Sequence, residues 1–426
     1  MNFNLLFHSL RIKERACKGC THCLRICPTD AIRVRQGTAV IKDLKCIDCG
    51  DCVRVCPYHA SEVVTDDLTK VERFAYPILV IPSVFQTIAL RGLTYLEAVS
   101  RLFSLGFREV WEEGVGNEIF LRKNREVLLD ETTRRPMLST ICPAVLRLLQ
   151  VRFPGLLGNL GSLNAPKDIL GSLIRRERAE LPGIGLFYLS PCPAKVTATR
   201  NPQGLHQAPY DGVIAVRNLF NRIHSAPAGG EGTFIRAGRL GIAFGHLGGE
   251  KEALPGQRVI SIDGMNNVRG FLERLEEGKT PPFDYVEARA CPVGCVGGVL
   301  LPEQDPYIAN YRLEYEMKRR PEFSPDFDTS AVEGDFLYLH EVIHPRPQYF
   351  LSENLTVAAR MMRRIDEIYA QLPHIDCGSC GAPTCRALAE DIAKGEANPE
   401  DCVFLTKEGW KFILAKPNRS ETAENA

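Results

Sequence analysis

Eight cysteines near the start of the chain recur with a single offset. Cys17, Cys20, Cys23 and Cys27 return as Cys46, Cys49, Cys52 and Cys56, each 29 residues later, so each half reads C-x2-C-x2-C-x3-C-P. Thiolates so closely spaced can converge on one metal centre because the loop between them curls around it. Pro28 and Pro57, lacking an N–H, turn the chain just past the last sulfur of each half. The whole chain has 16 cysteines in 426 residues, far below the density of a disulfide scaffold. In a reducing cytosol such residues serve metals or catalysis. Charge adds an exclusion: 52 basic and 52 acidic side chains cancel, which argues against a general nucleic-acid binder.

The repeat resembles the bacterial two-cluster ferredoxins, in which the fourth cysteine of each half ligates the other half's cluster. On that pattern Cys17, Cys20, Cys23 and Cys56 hold one [4Fe-4S] cluster, and Cys46, Cys49, Cys52 and Cys27 the other. Two zinc sites are the alternative, since C-x2-C pairs also suit zinc. Residues 1–65 carry ten Lys/Arg against six Asp/Glu. With each oxidised cubane and its thiolates carrying roughly −2, that surplus either offsets the clusters or is solvated surface.

Beyond this segment the pattern changes to strands alternating with amphipathic stretches. Strands are predicted at Pro77–Ile81, Glu109–Trp111, Met137–Ile141, Gly185–Ser190, Leu240–Phe244, Val259–Ile262 and Tyr285–Ala290. Helices are predicted at Thr94–Leu105, Ala144–Val151 and Val268–Glu277. The alternation implies α/β architecture with parallel sheets. The opening residues have only three adjacent apolar side chains, Leu5 to Phe7, too few for a signal-peptide core. No stretch approaches the ~18 apolar residues of a membrane span. A cytoplasmic protein is expected.

Four further cysteines lie in the α/β region: Cys142, Cys192, Cys291 and Cys295. The first three follow predicted strand ends and each precedes a proline. Ligands of open α/β sheets bind at the carboxyl ends of strands, so three strands would aim thiolates at one crevice. Gly294, Gly297 and Gly298 let backbone approach something bulky there. The stretches Leu138–Pro143, Ser190–Lys195 and Ala290–Gly298 resemble the three active-site motifs of the [FeFe] hydrogenases. That resemblance covers about residues 1–303 with the ferredoxin segment. It implies that the four cysteines hold the cubane of an H-cluster. Cys295 would also bridge to a diiron unit carrying CO, cyanide and a dithiolate amine. Lys195, three residues after Cys192 at a predicted helix start, would serve an anionic ligand such as cyanide. Pro82 and Ser83 resemble the family's Pro-Ser pair beside the diiron unit.

Four departures from the fast enzymes of the family stand out. Ile141 occupies the position of their proton-donating cysteine. Ser190 and Arg289 replace two methionines, and the usual Gly-Gly-Gly-Gln-Pro ending is altered to Gly297–Pro302. Inorganic ligands survive while the proton path and polarity change, which resembles the divergent sensory branch of the family. The expectation is slow, reversible H2 oxidation and proton reduction in the service of H2 or redox sensing, a weak hydrogenase rather than a bulk producer.

Cys377, Cys380, Cys385 and Cys402 form a C-terminal C-x2-C-x4-C-x16-C set. It resembles the small [4Fe-4S] domain of some membrane electron-transport proteins and of corrinoid iron–sulfur proteins, with zinc again the alternative. All sixteen cysteines are then placed.

The expected organisation is multidomain, α+β and α/β. A two-[4Fe-4S] ferredoxin-like domain spans 1–65 and an H-cluster domain 75–303. A connector follows at 304–365, a small helical [4Fe-4S] domain at 366–410, and a disordered tail at 411–426. The expected partners are H2 and protons, a redox protein, hydrogenase maturation proteins, and a separate signalling kinase or phosphatase. No nucleic acid and no membrane span are expected. The competing reading is a hydrogenase-like Fe-S protein without a diiron site, acting in electron transfer or cluster assembly. The Gly-rich turns Gly248–Lys251 and Ala228–Gly232 lack the Gly-Lys-Ser/Thr ending of a phosphate loop and read as flexible loops.

Overall fold

Ile78, Leu79, Val80 and Ile81 are completely buried, as are Leu186 to Leu189 on another segment. Runs without polar alternation suit strands covered on both faces, which is the situation inside a parallel sheet. The computed structural model, which describes residues 8–88, 92–346, 351–352 and 354–405, places these two runs side by side. The tail 411–426 and the apolar triplet Leu5–Phe7 lie outside the described residues. The chain divides into two compact units. One comprises Met1–Leu10, Ile47–Gly50 and Val63–Arg346, and the other Arg11–Cys46, Asp51–Glu62 and Pro347–Ala426.

The larger unit holds two parallel sheets. The first has five strands in the order Thr233–Ile235, Glu109–Glu112, Tyr76–Ile81, Ile184–Ser190, Gly212–Ala215. Tyr76–Ile81 comes first in sequence yet lies in the middle. The chain next pairs on one side of it, with Glu109–Glu112, and later on the other, with Ile184–Ser190. The order therefore reverses at its carboxyl end, the place where open α/β sheets bind their ligands. Pro82 and Ser83 follow at once. The second sheet runs Val259–Asp263, Tyr285–Arg289, Met137–Leu138, also parallel. The strand ends that precede Cys142, Cys192 and Cys291 thus belong to two sheets rather than one.

Two predicted elements differ. Leu240–Phe244 is not a strand; Arg239–Ala243 forms a short helix. A five-residue apolar run has no period to distinguish the two, and packing decides. This helix lies against the helix Gly114–Leu129 so closely that a side chain on Gly241 would stand 2.4 Å from the Gly114 carbonyl oxygen. The strand expected at Met137–Ile141 stops at Leu138, and the Ser139 hydroxyl that follows donates to a buried carboxylate, Glu250, at 2.9 and 3.0 Å. Glu250 itself sits in what read as a flexible glycine loop. Gly249–Glu252 is instead a helical turn, and Glu250 is 1 % exposed.

In the smaller unit Ile32–Arg35 pairs antiparallel with Thr38–Ile41, and short helices His22–Ile26 and Asp51–Arg54 follow the two cysteine loops. The C-terminal residues join this unit. Helices Leu355–Tyr369 and Cys385–Ala393 share a small core of Ile365, Ile368, Leu388 and Ile392. The Val34 N–H donates to the Gly381 carbonyl at 2.8 Å, and Arg35 and Arg25 donate to the carbonyls of Cys380 and Cys377, each at 2.9 Å. Asp391, buried, pairs with Arg33 at 2.6 Å and Arg35 at 2.5 Å, and Lys45 with Glu390 at 2.9 Å. All of the first cysteine set except Cys49 thus shares a compact unit with the last set, from the opposite end of the sequence. Among the described residues no helix is long and apolar enough to cross a membrane.

Candidate metal centres

Cys142 and Cys192 are each the residue before a helix, Pro143–Arg152 and Pro193–Arg200, with proline in the first helical position. Proline fits there because the first N–H has no intrahelical partner to lose. Both helices direct their positive ends, and their unpaired N–H groups, toward the sulfur that precedes them. Cys291 follows the strand Tyr285–Arg289 by two residues, and Cys295 opens a 3₁₀ turn, Cys295–Gly297. Between them Val293 has φ 61°, a left-handed conformation unusual for a β-branched residue. Its N–H is held by Asp263 at 2.5 Å. At Gly294 a Cβ would stand 2.7 Å from the His246 carbonyl carbon, so only glycine lets this loop close.

The four cysteines line one cavity, and Cys49 lines it with them. No disulfide joins any of the sixteen cysteines. Burial pushes the Cys192 thiol up to about 12, with the neighbouring Cys295 adding to the rise and Lys195 opposing it. Burial also raises Cys295, against the pull of Lys195 and Arg289. Buried thiols that repel each other's charged forms suit metal ions that replace their protons. Four cysteine thiols around one cavity are a donor set that fits a cluster of iron and sulfide.

A second cavity adjoins the first, and Ile141, Pro191, Lys195 and Cys295 line both. Pro82, Ser83, Val84, Glu113, Asn117, Phe244 and Gly245 complete its wall. Lys195 is 5 % exposed and its Nζ donates to Glu113 Oε1 at 2.5 Å. Burial opposes its charge, but Glu113 and the sulfurs of Cys295 and Cys192 outweigh that and raise it above the usual lysine range. Ser83 Oγ accepts from Asn117 Nδ2 at 2.8 Å, and Asn117 also donates to the Gly241 carbonyl at 2.7 Å. Sequence reasoning named Lys195, Ser83 and Pro82 but missed Glu113 and Asn117. The only signal for Glu113 was an acidic pair, Glu112-Glu113, directly at the end of a strand and the start of a helix.

In the smaller unit Cys17, Cys20, Cys23 and Cys56 line one cavity with Val34, and Cys377, Cys380, Cys385 and Cys402 line another. Burial, then repulsion from Cys17, Cys20 and Cys56, pushes Cys23 up to about 11. The halves of the repeat show one further likeness. Cys27 Sγ accepts from the Ala31 N–H and Cys56 Sγ from the Ala60 N–H, each at 3.2 Å and each four residues on. Such N–H···S bonds tune iron–sulfur potentials. Cys27, Cys46 and Cys52 belong to the smaller unit and Cys49 to the larger.

These centres match known sequence families in the same order. A 4Fe-4S dicluster domain matches residues 9–57, the C-terminal domain of the iron-only hydrogenase large subunit matches 87–229 and 244–299, and an Fe-S cluster domain matches 372–404. The middle domain resembles the iron-only hydrogenases. Around it the chain is an iron–sulfur protein with two flanking Fe-S domains. Iron hydrogenase 1 of Clostridium pasteurianum is 23% identical to the chain over 265 residues, covering 48% of the chain and 45% of that protein. The large subunit of the corrinoid/iron-sulfur protein from Moorella thermoacetica is 48% identical over 40 residues, 9% of each chain. A protein named as a probable cytosolic Fe-S cluster assembly factor of Drosophila virilis is 28% identical over 99 residues, 22% of the chain and 21% of that protein. The chain thus spans less than half the length of each of these relatives. An [FeFe]-hydrogenase structure from Chlamydomonas reinhardtii has a TM-score of 0.50 at 18% identity, covering 66% of the chain and 97% of that structure. The hydrogenase fold is shared.

Proposed function

We propose that the protein is a redox protein whose middle domain binds an H-cluster, turns over H2 slowly and reports its redox state. The single observation that carries this reading is the pair of adjoining cavities with Cys295 and Lys195 in the wall of both. One cavity offers four thiolates for a cubane. The other offers the Cys295 sulfur as a bridge, the Lys195 ammonium for an anionic ligand, and the Ser83 and Asn117 dipoles. A diiron unit bound there would supply the making and breaking of H2. The chain's own part is to hold that unit, exclude water and deliver protons and electrons. Ile141, in the wall where a proton donor would stand, carries no exchangeable side-chain proton, which supports slow turnover and a sensing role.

Electrons would pass through the other clusters. Cys49 stands in the wall of the four-cysteine cavity. At the other end, Val34 lines the Cys17 cavity while its N–H is bonded to Gly381, next to Cys380. A C-terminal cluster would then exchange electrons with the cluster of Cys17, Cys20, Cys23 and Cys56. A redox protein partner and a separate kinase or phosphatase would complete the signalling route.

Infrared spectroscopy after in-vitro maturation tests the reading. The expected result is a set of CO and cyanide stretching bands. Their absence from protein with full cubane content would favour the second reading, a hydrogenase-like Fe-S protein without a diiron site. The match to the Drosophila assembly factor favours that alternative.

A further inference from the structure

Arg289 ends the strand Tyr285–Arg289 and is 1 % exposed, yet it lines the cavity of Cys142, Cys192, Cys291 and Cys295. Its Nη2 is held by Glu250 Oε1 at 2.8 Å, with Glu287 Oε1 at 3.6 Å. Those carboxylates are themselves fixed. Glu250 accepts from Ser139 and from the Tyr285 hydroxyl at 2.5 Å, and Glu287 accepts from Ser261 at 2.7 Å. Both acids meet the same end of the guanidinium. Among the described residues, its Nε and Nη1 have no hydrogen-bond partner. A buried charged group with two idle donors is costly, and native structures leave such donors unpaired only where something else takes them.

We propose that Arg289 donates its Nε–H and Nη1–H to sulfur of the cubane held by Cys142, Cys192, Cys291 and Cys295, and so makes that cubane easier to reduce. The inference rests on the reading that these four cysteines share one cubane. One-electron reduction adds a negative charge to the cluster beside a buried, fixed cation, which acts more strongly there than in water. Hydrogen bonds to cluster sulfur shift potentials in the same direction. A guanidinium is suited to this because it stays charged and its planar fork is preorganised, here by Glu250 and Glu287. Arg289 is thus a positioning and tuning residue, and its effect is on the potential of the site rather than on binding of iron.

The test is a redox titration, followed by electron paramagnetic resonance, of full-length protein with reconstituted cubanes and no diiron unit. The signal of interest is the one lost when Cys192→Ala and Cys291→Ala are combined. Arg289→Met is expected to shift the reduction equilibrium of that signal at least tenfold toward the oxidised form, a fall of about 59 mV for one electron. Arg289→Lys, which keeps the charge and loses the fork, is expected to shift it in the same direction by less. An unmoved or raised potential in Arg289→Met overturns the proposal and leaves Arg289 a structural role. Should Arg289→Met assemble no cubane, an unmoved potential in Arg289→Lys overturns it. A different failure, in which no signal disappears from the double cysteine variant, would count against the shared cubane itself.

Discussion

Replacing Ile141 with cysteine is expected to raise H2 turnover by about 10²–10⁴-fold, the usual worth of a positioned general acid. Ile141 is 5 % exposed and lies in the wall of both cavities, as do Lys195 and Cys295, and Glu113 lines the second. A thiol there would bring an exchangeable proton into the wall of the cavity proposed to hold the diiron unit. Ile141→Ala is the control: it makes room without a proton and should give no comparable gain. The measurement is H2 evolution from a reduced viologen by matured protein, normalised to diiron content. Equal rates for Ile141→Cys and the parent protein would contradict the account, as would parent turnover already matching the fast enzymes.

Glu113→Leu is expected to destabilise the middle domain by about 3–5 kcal/mol, because it strands the Lys195 ammonium in the interior. The side chains of Lys195 and Glu113 are 7% and 5% exposed, and Glu113 also accepts from Tyr188 at 3.1 Å. Glu113 further stands at the N-terminus of the 16-residue helix Gly114–Leu129, where a negative charge is favoured. Combining Glu113→Leu with Lys195→Met replaces both charges by apolar groups and should recover most of the loss. Trp111, buried two residues before Glu113, is a local fluorescence probe for denaturant titration. A Glu113→Leu protein as stable as its parent would mean that Lys195 has no need of its partner.

How far the sequence reached depended on the kind of signal. Cysteine spacing is local in the first and last sets, so those were legible from the first, whereas Cys142, Cys192 and Cys291 lie far apart and were grouped by their strand ends, their prolines and a resemblance. The buried runs at Ile78–Ile81 and Leu186–Leu189 likewise mark central parallel strands, since no other short element needs such continuous apolarity. Arg239–Ala243 was not legible: the apolar run Leu240–Phe244 suits helix and strand alike, and the contact of Gly241 that settles it is with Gly114, on a helix far earlier in the chain. Glu250 was hidden for the same reason. Its carboxylate answers to Ser139, Tyr285 and Arg289, none of them near it in sequence. The joining of the C-terminal cysteines to the first segment rests on Arg33, Arg35 and Asp391, three ordinary charges with nothing in their local sequence to pair them.

Everything about H2 depends on cysteines from two different sheets meeting at one cluster. Iron analysis with Mössbauer spectroscopy on protein carrying both Cys192→Ala and Cys291→Ala tests that directly. The account predicts the loss of one cubane, about four irons per chain, with the spectra of the remaining clusters unchanged. Full iron content and an unaltered spectrum in this variant would contradict it.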